Sequence, residues 1–252
     1  VLSPLAIGLF AAEAFSAASV TLIVSVMGAF LLRQPATIAV KVASGRRPRA
    51  DLAPALFWLA LYGVICLAAL AALVLAGYGA VLVLAIPGLG IFAWHLYLVS
   101  RREERGQAGV EIVATGALSL AAPAAYWVGL GRYDPLGWAL WLLPWLQSAA
   151  SIVHAYLRLS QRTLQAMPDR RVRWRMGLRA AIYTSFNLGL ALVTSAAGLL
   201  PQLIWLPYLL QWLETLWAIE HPAVGVKPTR IGIRQLIVST LFTILFIITW
   251  RL

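Results

Sequence analysis

Polar side chains recur inside long apolar runs at helical spacing. Glu111, Thr115 and Ser119 follow one another every four residues, which stacks them on one helical face. Gln147, Ser151, His154 and Arg158 do much the same, as do Arg179, Tyr183 and Asn187, with Thr194 continuing that face. Gln211 and Glu214, three residues apart, make a fourth stripe. An ionisable group at mid-membrane costs about 2.5–3.5 kcal/mol on insertion scales, so such groups face a cavity or a partner. If the four stripes converge, they line a ligand pocket in which Glu111 and Glu214 are offset by Arg158 and Arg179. Arg33, at the end of an earlier run, adds a cation able to grip phosphate. The competing reading makes these groups interhelical bonds that only hold a bundle together, each worth about 0.6–2 kcal/mol. Bonding alone is the expectation for the hydroxyls, whereas the two carboxylates divide evenly between bonding and ligand roles.

His95 and His154 are the histidines that fall within apolar runs, and an imidazole there can ligate the metal of a tetrapyrrole such as haem or a chlorophyll pigment. Each stands alone in its run, so a hydrogen-bonded core histidine is the leading expectation and pigment or haem the minor one. Cys66 is the one cysteine, so neither a disulfide framework nor a cysteine metal site can be built from this chain. No metal is predicted, and no catalytic residue is assigned.

The elements that must position these groups are membrane helices. Of 252 residues 62% are hydrophobic and 12% charged, with a mean hydropathy of +0.84, far from the roughly 25% charged content of a soluble domain. In lipid every backbone amide needs an internal partner, and the runs are too long and too rich in Ala and Leu for barrel strands. An all-α polytopic bundle forming a single membrane domain follows. Apolar runs predict about nine spans: a partial one to residue 12, then 15–33, 53–76, 80–99, 108–130, 136–158, 178–199, 202–220 and 232–250. Because Val1 to Ala12 reads as the end of a span, further residues are expected before Val1.

The net charge of +11 would suggest nucleic acid in a soluble protein, but its distribution assigns it to topology instead. Connections alternate between short, nearly uncharged turns and longer basic ones. The basic set holds Arg33, Lys41, Arg46, Arg47 and Arg49; Arg101, Arg102 and Arg105; the run from Arg158 to Arg179; and Lys227, Arg230 and Arg234. Only Arg132 and Arg251 fall on the other side. The positive-inside rule then predicts a cytoplasmic (inner) membrane protein with its N-terminus inside and its C-terminus outside. Anionic headgroups are the expected neighbours of the basic loops. Trp94, Trp127, Trp138, Trp141, Trp145, Trp205, Trp212, Trp217 and Trp250 mostly lie toward span ends and are expected as interface anchors.

Several segments resemble the YwiC-like family of bacterial membrane proteins: LSPLAIGL at the start, LLRQP closing the second run, SRREERGQAGVEIVATGALSLAAPAAYW, and KPTRIGIRQL before the last run. The resemblance implies an Arg-Glu-His-Gly-Ala-Trp motif just ahead of Val1. The nine-span layout with long basic connections is in turn similar to that of UbiA prenyltransferases. Those enzymes hold a diphosphate through Mg²⁺ on two Asp-rich motifs, since a hard cation wants several carboxylate oxygens. Here three Asp are present in all, and Arg33, Gln34, Lys41, Arg46, Arg47 and Arg49, then Arg162 to Arg175 around Asp169, stand at the corresponding places.

The leading expectation is therefore a non-catalytic membrane protein that binds a lipid or isoprenoid-like molecule, or an accessory subunit beside other membrane subunits, photosynthetic or respiratory ones included. The alternative is an atypical UbiA-like transferase on a polyprenyl or lipid substrate, with Glu111 or Glu214 as acid or base and Arg33, Arg158 and Arg179 on phosphate. A proton-coupled transporter ranks third, because Pro87 to Gly90 is the single candidate helix break and has no counterpart in another half.

Overall fold

A computed structural model describes residues 2–103 and 107–252; Arg105, expected in a basic loop, lies outside the described residues. The described chain is helical, without strands. Among the described residues, seven helical runs are long and apolar enough to cross a membrane: Ala17–Ala43, Arg49–Leu75, Gly79–Arg101, Ala108–Leu130, Leu136–Gln161, Arg170–Ala196 and Pro228–Arg251. The protein is thus an all-α, multi-pass membrane protein. Its helices fall into two compact units that meet in the sequence between Leu142 and Leu143.

The first unit holds α1 (Leu2–Ala11), α2 (Ala17–Ala43), α3 (Leu52–Leu75), α4 (Leu82–Arg101), α5 (Ala108–Ser119) and α6 (Ala121–Leu130). Only Leu120 separates α5 from α6. α2 packs along α3 and also meets α4 and α6, while α1 lies on α6. Small residues permit these approaches. A Cβ added at Gly8 would collide with the carbonyl oxygen of Ala122, and one at Gly28 would lie 3.1 Å from the Cβ of Cys66. Beside that second crossing, the Ser25 hydroxyl donates to the Cys66 carbonyl at 3.2 Å.

Trp127, expected as an interface anchor, is instead buried in this unit's core, at 1% exposure. The turn after α6 explains the change. Its indole N–H donates to the Asp134 carbonyl at 2.7 Å, and its ring meets Tyr133 and Trp138 at 4.8 and 5.7 Å. The Asp134 carboxylate accepts the Leu136 N–H at 2.8 Å, one of the amides that a helix start leaves without an internal partner.

The second unit comprises most of α7 (Leu136–Gln161), with α8 (Arg170–Ala196), α9 (Trp205–Glu220) and α10 (Pro228–Arg251). α9 packs against α8 and α10. Its Tyr208 donates to the Leu143 carbonyl of α7 at 2.9 Å and meets Phe242 of α10 edge-on at 5.1 Å. Asn187 of α8 donates to the Leu146 carbonyl of α7 at 2.8 Å.

Two further expectations change. Helices overrun the apolar spans at their basic ends: α2 continues past Arg33 to Ala43, α8 starts at Arg170 and α10 at Pro228. Arg33 and Lys41 are therefore helical, because Arg and Lys are good helix formers and need no lipid; Thr37 ties back to the Arg33 carbonyl at 2.9 Å. Pro228 suits a first helical position, where an N–H has no partner to lose. Conversely, one predicted span is short: α9 has 16 residues, about 24 Å of helix against a hydrocarbon core of roughly 30 Å, while the 10 residues of α1 fall in the run expected as partial. The apolar text from 201 to 204 goes into a turn that precedes α9, held by the Ser195 hydroxyl on the carbonyls of Pro201 and Gln202 at 2.7 and 2.8 Å.

Candidate functional site

The site forms where α7, α9 and α10 meet at their basic ends. Glu214 of α9 is 13% exposed and receives a two-pronged grip from Arg234 of α10, whose Nε and Nη2 donate to Oε1 and Oε2 at 2.6 and 2.8 Å. Such fork-on-fork pairing is the strongest form of Arg–carboxylate contact. The same guanidinium lies 3.5 Å from the centre of the Trp217 ring, one turn along α9 from Glu214, a cation–π contact. Trp217 in turn stacks on His221 at 4.9 Å.

Arg158 of α7 reaches the end of α9. Its Nη1 donates to the carbonyls of Ala218 and His221 at 3.1 and 2.7 Å and to Gln161 Oε1 at 3.0 Å. The last carbonyls of a helix have no internal donor, so a guanidinium there satisfies them and complements the negative end of the helix dipole. Gln161 assists, donating to Ala218 at 3.1 Å and accepting the Ala223 N–H at 3.2 Å. His154 is buried, with Nδ1 3.3 Å from the Thr215 hydroxyl and Nε2 4.0 Å from Glu214. Deeper along the helices, Gln211 donates to the Gln147 carbonyl and the Ser151 hydroxyl at 3.0 and 3.1 Å. Gln235 of α10 donates to the Ser151 carbonyl at 2.5 Å.

These side chains border a cavity of about 250 Å³, which His154, Arg158, Glu214, Trp217, Arg230 and Arg234 line. Three guanidiniums face one carboxylate. Arg230 is exposed, and its side chain has no partner among the described residues. The volume lies below the roughly 300–1,000 Å³ typical of sites that enclose a whole small molecule. Among the described residues no three His, Cys, Asp or Glu side chains come close enough together to hold a metal ion.

Of the predicted site residues, His154, Arg158 and Glu214 line this cavity, with Gln211 one turn deeper along α9. The expected charge pairing changes: Arg234, rather than Arg158 or Arg179, neutralises Glu214. Arg179 instead lies 5.8 Å from the ring of Tyr183 on its own helix, and Asn187 is used for the α7 contact. Arg33 on α2, His95 on α4 and Glu111 in the first turn of α5 belong to the first unit. On α5 the Ser119 and Thr115 hydroxyls donate to carbonyls of their own helix, Thr115 and Ile112, at 2.9 and 2.8 Å.

Arg230 and Arg234, expected as loop charge, and Trp217, expected as an interface anchor, line the cavity as well. The four-residue step between the arginines, inside a stretch that can be helical, was the signal for a shared face.

At the polar end of α9, outside the seven crossing helices, Glu220 accepts the Trp174 indole N–H at 2.8 Å and pairs with Arg170 and Arg173 at 3.4 and 3.6 Å. The indole bond is the largest influence and holds its carboxyl below the ordinary value; desolvation, second in size, pushes it up, and the two arginines pull it down again.

No curated protein and no solved structure matches the chain. Residues 1–126 of 252 match the family described as YwiC-like protein, a stretch that includes LSPLAIGL, LLRQP and nearly all of the segment from Ser100 to Trp127. With half of its length matched, the chain belongs to the YwiC-like protein family.

Proposed function

We propose that this is a non-catalytic protein of the cytoplasmic membrane that holds an anionic amphiphile, gripping its phosphate or carboxylate head in the cavity lined by α7, α9 and α10. The observation that carries the reading is the excess of guanidinium over carboxylate there, with Arg230 lacking a side-chain partner among the described residues beside the Arg234–Glu214 fork. Arg binds phosphate and carboxylate through planar, two-pronged donation, which a hydrated point charge cannot match. The cavity takes a head and no more, so the tail, isoprenoid or acyl, lies along apolar helix surfaces. By the positive-inside rule the cavity opens toward the cytoplasm, and counting α1 and α9 as entering the bilayer keeps the nine-span alternation of basic and uncharged connections, an arrangement similar to UbiA enzymes. A transferase reading needs a carboxylate able to act on a leaving group; Glu214, the cavity's one carboxylate, is committed to Arg234.

The test is native mass spectrometry of detergent-purified protein titrated with dodecyl phosphate, against Arg230→Ala. The expected result is a stoichiometric adduct on the wild type that weakens about tenfold in the variant, the loss of one charge-assisted contact. Equal adduct formation by both proteins refutes the reading.

An accessory-subunit reading has one observation in its favour: α3, covered by α2 on one side, leaves another face open, with Phe57, Val64 and Leu67 exposed by 62, 66 and 64%. Stoichiometric co-purification of a second membrane subunit that protects Val64→Cys from a lipid-soluble thiol reagent supports it. Unprotected labelling removes it.

A further inference from the structure

A second cavity, in the first unit and independent of the one above, lies between the basic end of α2 and the start of α3 and measures about 410 Å³. That is within the range of small-molecule sites. Its charged groups are one ion pair, Arg47 Nη1 to Asp51 Oδ2 at 3.2 Å, with both side chains nearly half exposed, and Gln34 adds an amide to the wall. The remaining walls include Leu31, Ile38, Trp58 and Tyr62, and the two aromatic rings stack at 5.3 Å. Pro35, also in the wall, has no N–H, so the Leu31 carbonyl lacks its usual helical donor.

We propose that this groove binds a zwitterionic glycerophospholipid, its phosphate on Arg47, its ammonium on Asp51 and the stacked Trp58–Tyr62 faces, and its acyl chains along α2 and α3. The charge pattern selects this occupant. A cation and an anion a few ångströms apart mirror a headgroup whose phosphate and ammonium are joined by a two-carbon link. An exposed Arg–Asp pair has little to lose on opening, and aromatic faces attract an ammonium. A lipid with only negative charge would satisfy Arg47 and be repelled by Asp51.

The test uses the full chain in detergent and native mass spectrometry with dihexanoyl phosphatidylethanolamine and dihexanoyl phosphatidylglycerol. Asp51→Asn is expected to lower ethanolamine-lipid binding about fivefold while glycerol-lipid binding holds or rises, and Arg47→Gln to weaken both. The Asp51→Asn and Arg47→Gln losses are expected to persist in an Arg230→Ala background, so binding at the α7–α10 cavity reads out separately. Unchanged ethanolamine-lipid binding in both Asp51→Asn and Arg47→Gln overturns the proposal, as does a wild type that binds the two lipids with the same ratio as Asp51→Asn.

Discussion

Replacing Glu214 by Gln keeps the shape of the side chain, removes one negative charge and leaves Arg234 a single neutral acceptor. Two charge-assisted bonds, at 2.6 and 2.8 Å, are altered. Hydrogen bonds to charged groups contribute about 1.5–3 kcal/mol each, but Arg234 is 43% exposed, so water screens its arm and recovers part of the loss. The amide retains one bond as well. The net cost is about 2 kcal/mol, which for a chain of this size lowers the melting temperature by about 4–8 °C. Thermal unfolding in detergent of the wild type, Glu214→Gln, Arg234→Gln and the double variant measures it. A double variant close to either single, with a coupling of at least about 1 kcal/mol, is expected. Strictly additive losses, or single shifts below about 1 °C, would refute the fork as a stabilising unit. The same variant carries an opposite sign for binding: with Arg234 released and a negative charge removed, dodecyl phosphate should bind more tightly than to the wild type.

Asn187→Leu removes the bond from α8 to the Leu146 carbonyl; an interhelical bond in a membrane averages about 0.6 kcal/mol, so the melting temperature should fall by about 1–3 °C. Gly8→Leu drives a side chain into the Ala122 backbone, whereas nothing lies within 4 Å of a Cβ added at Gly90; the first should lose yield or stability in a fluorescence-detected melt and Gly90→Leu should not. Glu220, its carboxyl held below the ordinary 4.5, contributes stability that is full above that value and is lost as pH falls through the lower folded-state value. The melting temperature should therefore decline as pH drops below about 4.5, and Glu220→Gln should remove that component; an identical pH profile in the variant would count against it.

Composition and apolar run length made the all-helical membrane class legible, because lipid leaves the backbone so few options. Helix ends were less so. A run-length reading stops at the first charge, yet α2 and α8 carry Arg33 and Arg170 to Arg175 within the helix, since arginine favours helix as readily as leucine does. His154, Arg158 and Glu214 stand on the polar stripes and line one cavity, but the stripes do not disclose their partners. Arg234 sits twenty positions beyond Glu214, and nothing local in either helix says that α10 returns alongside α9. Trp127 shows the same limit: its burial follows from an indole bond to the turn at Asp134, whereas a span-end position alone suggests an anchor.

The contact at Gly8 also bears on the order in which the protein assembles. α1 meets α6 through bare backbone, and Ala122 follows Gly8 by roughly 110 residues. At about 5–20 residues per second of synthesis, some 5–20 s separate the two. Throughout that interval the first helix must wait in the insertion machinery or the lipid without its seat. Because α6 is the later of the two, the glycine lets it seat against α1 without a large side chain having to move aside.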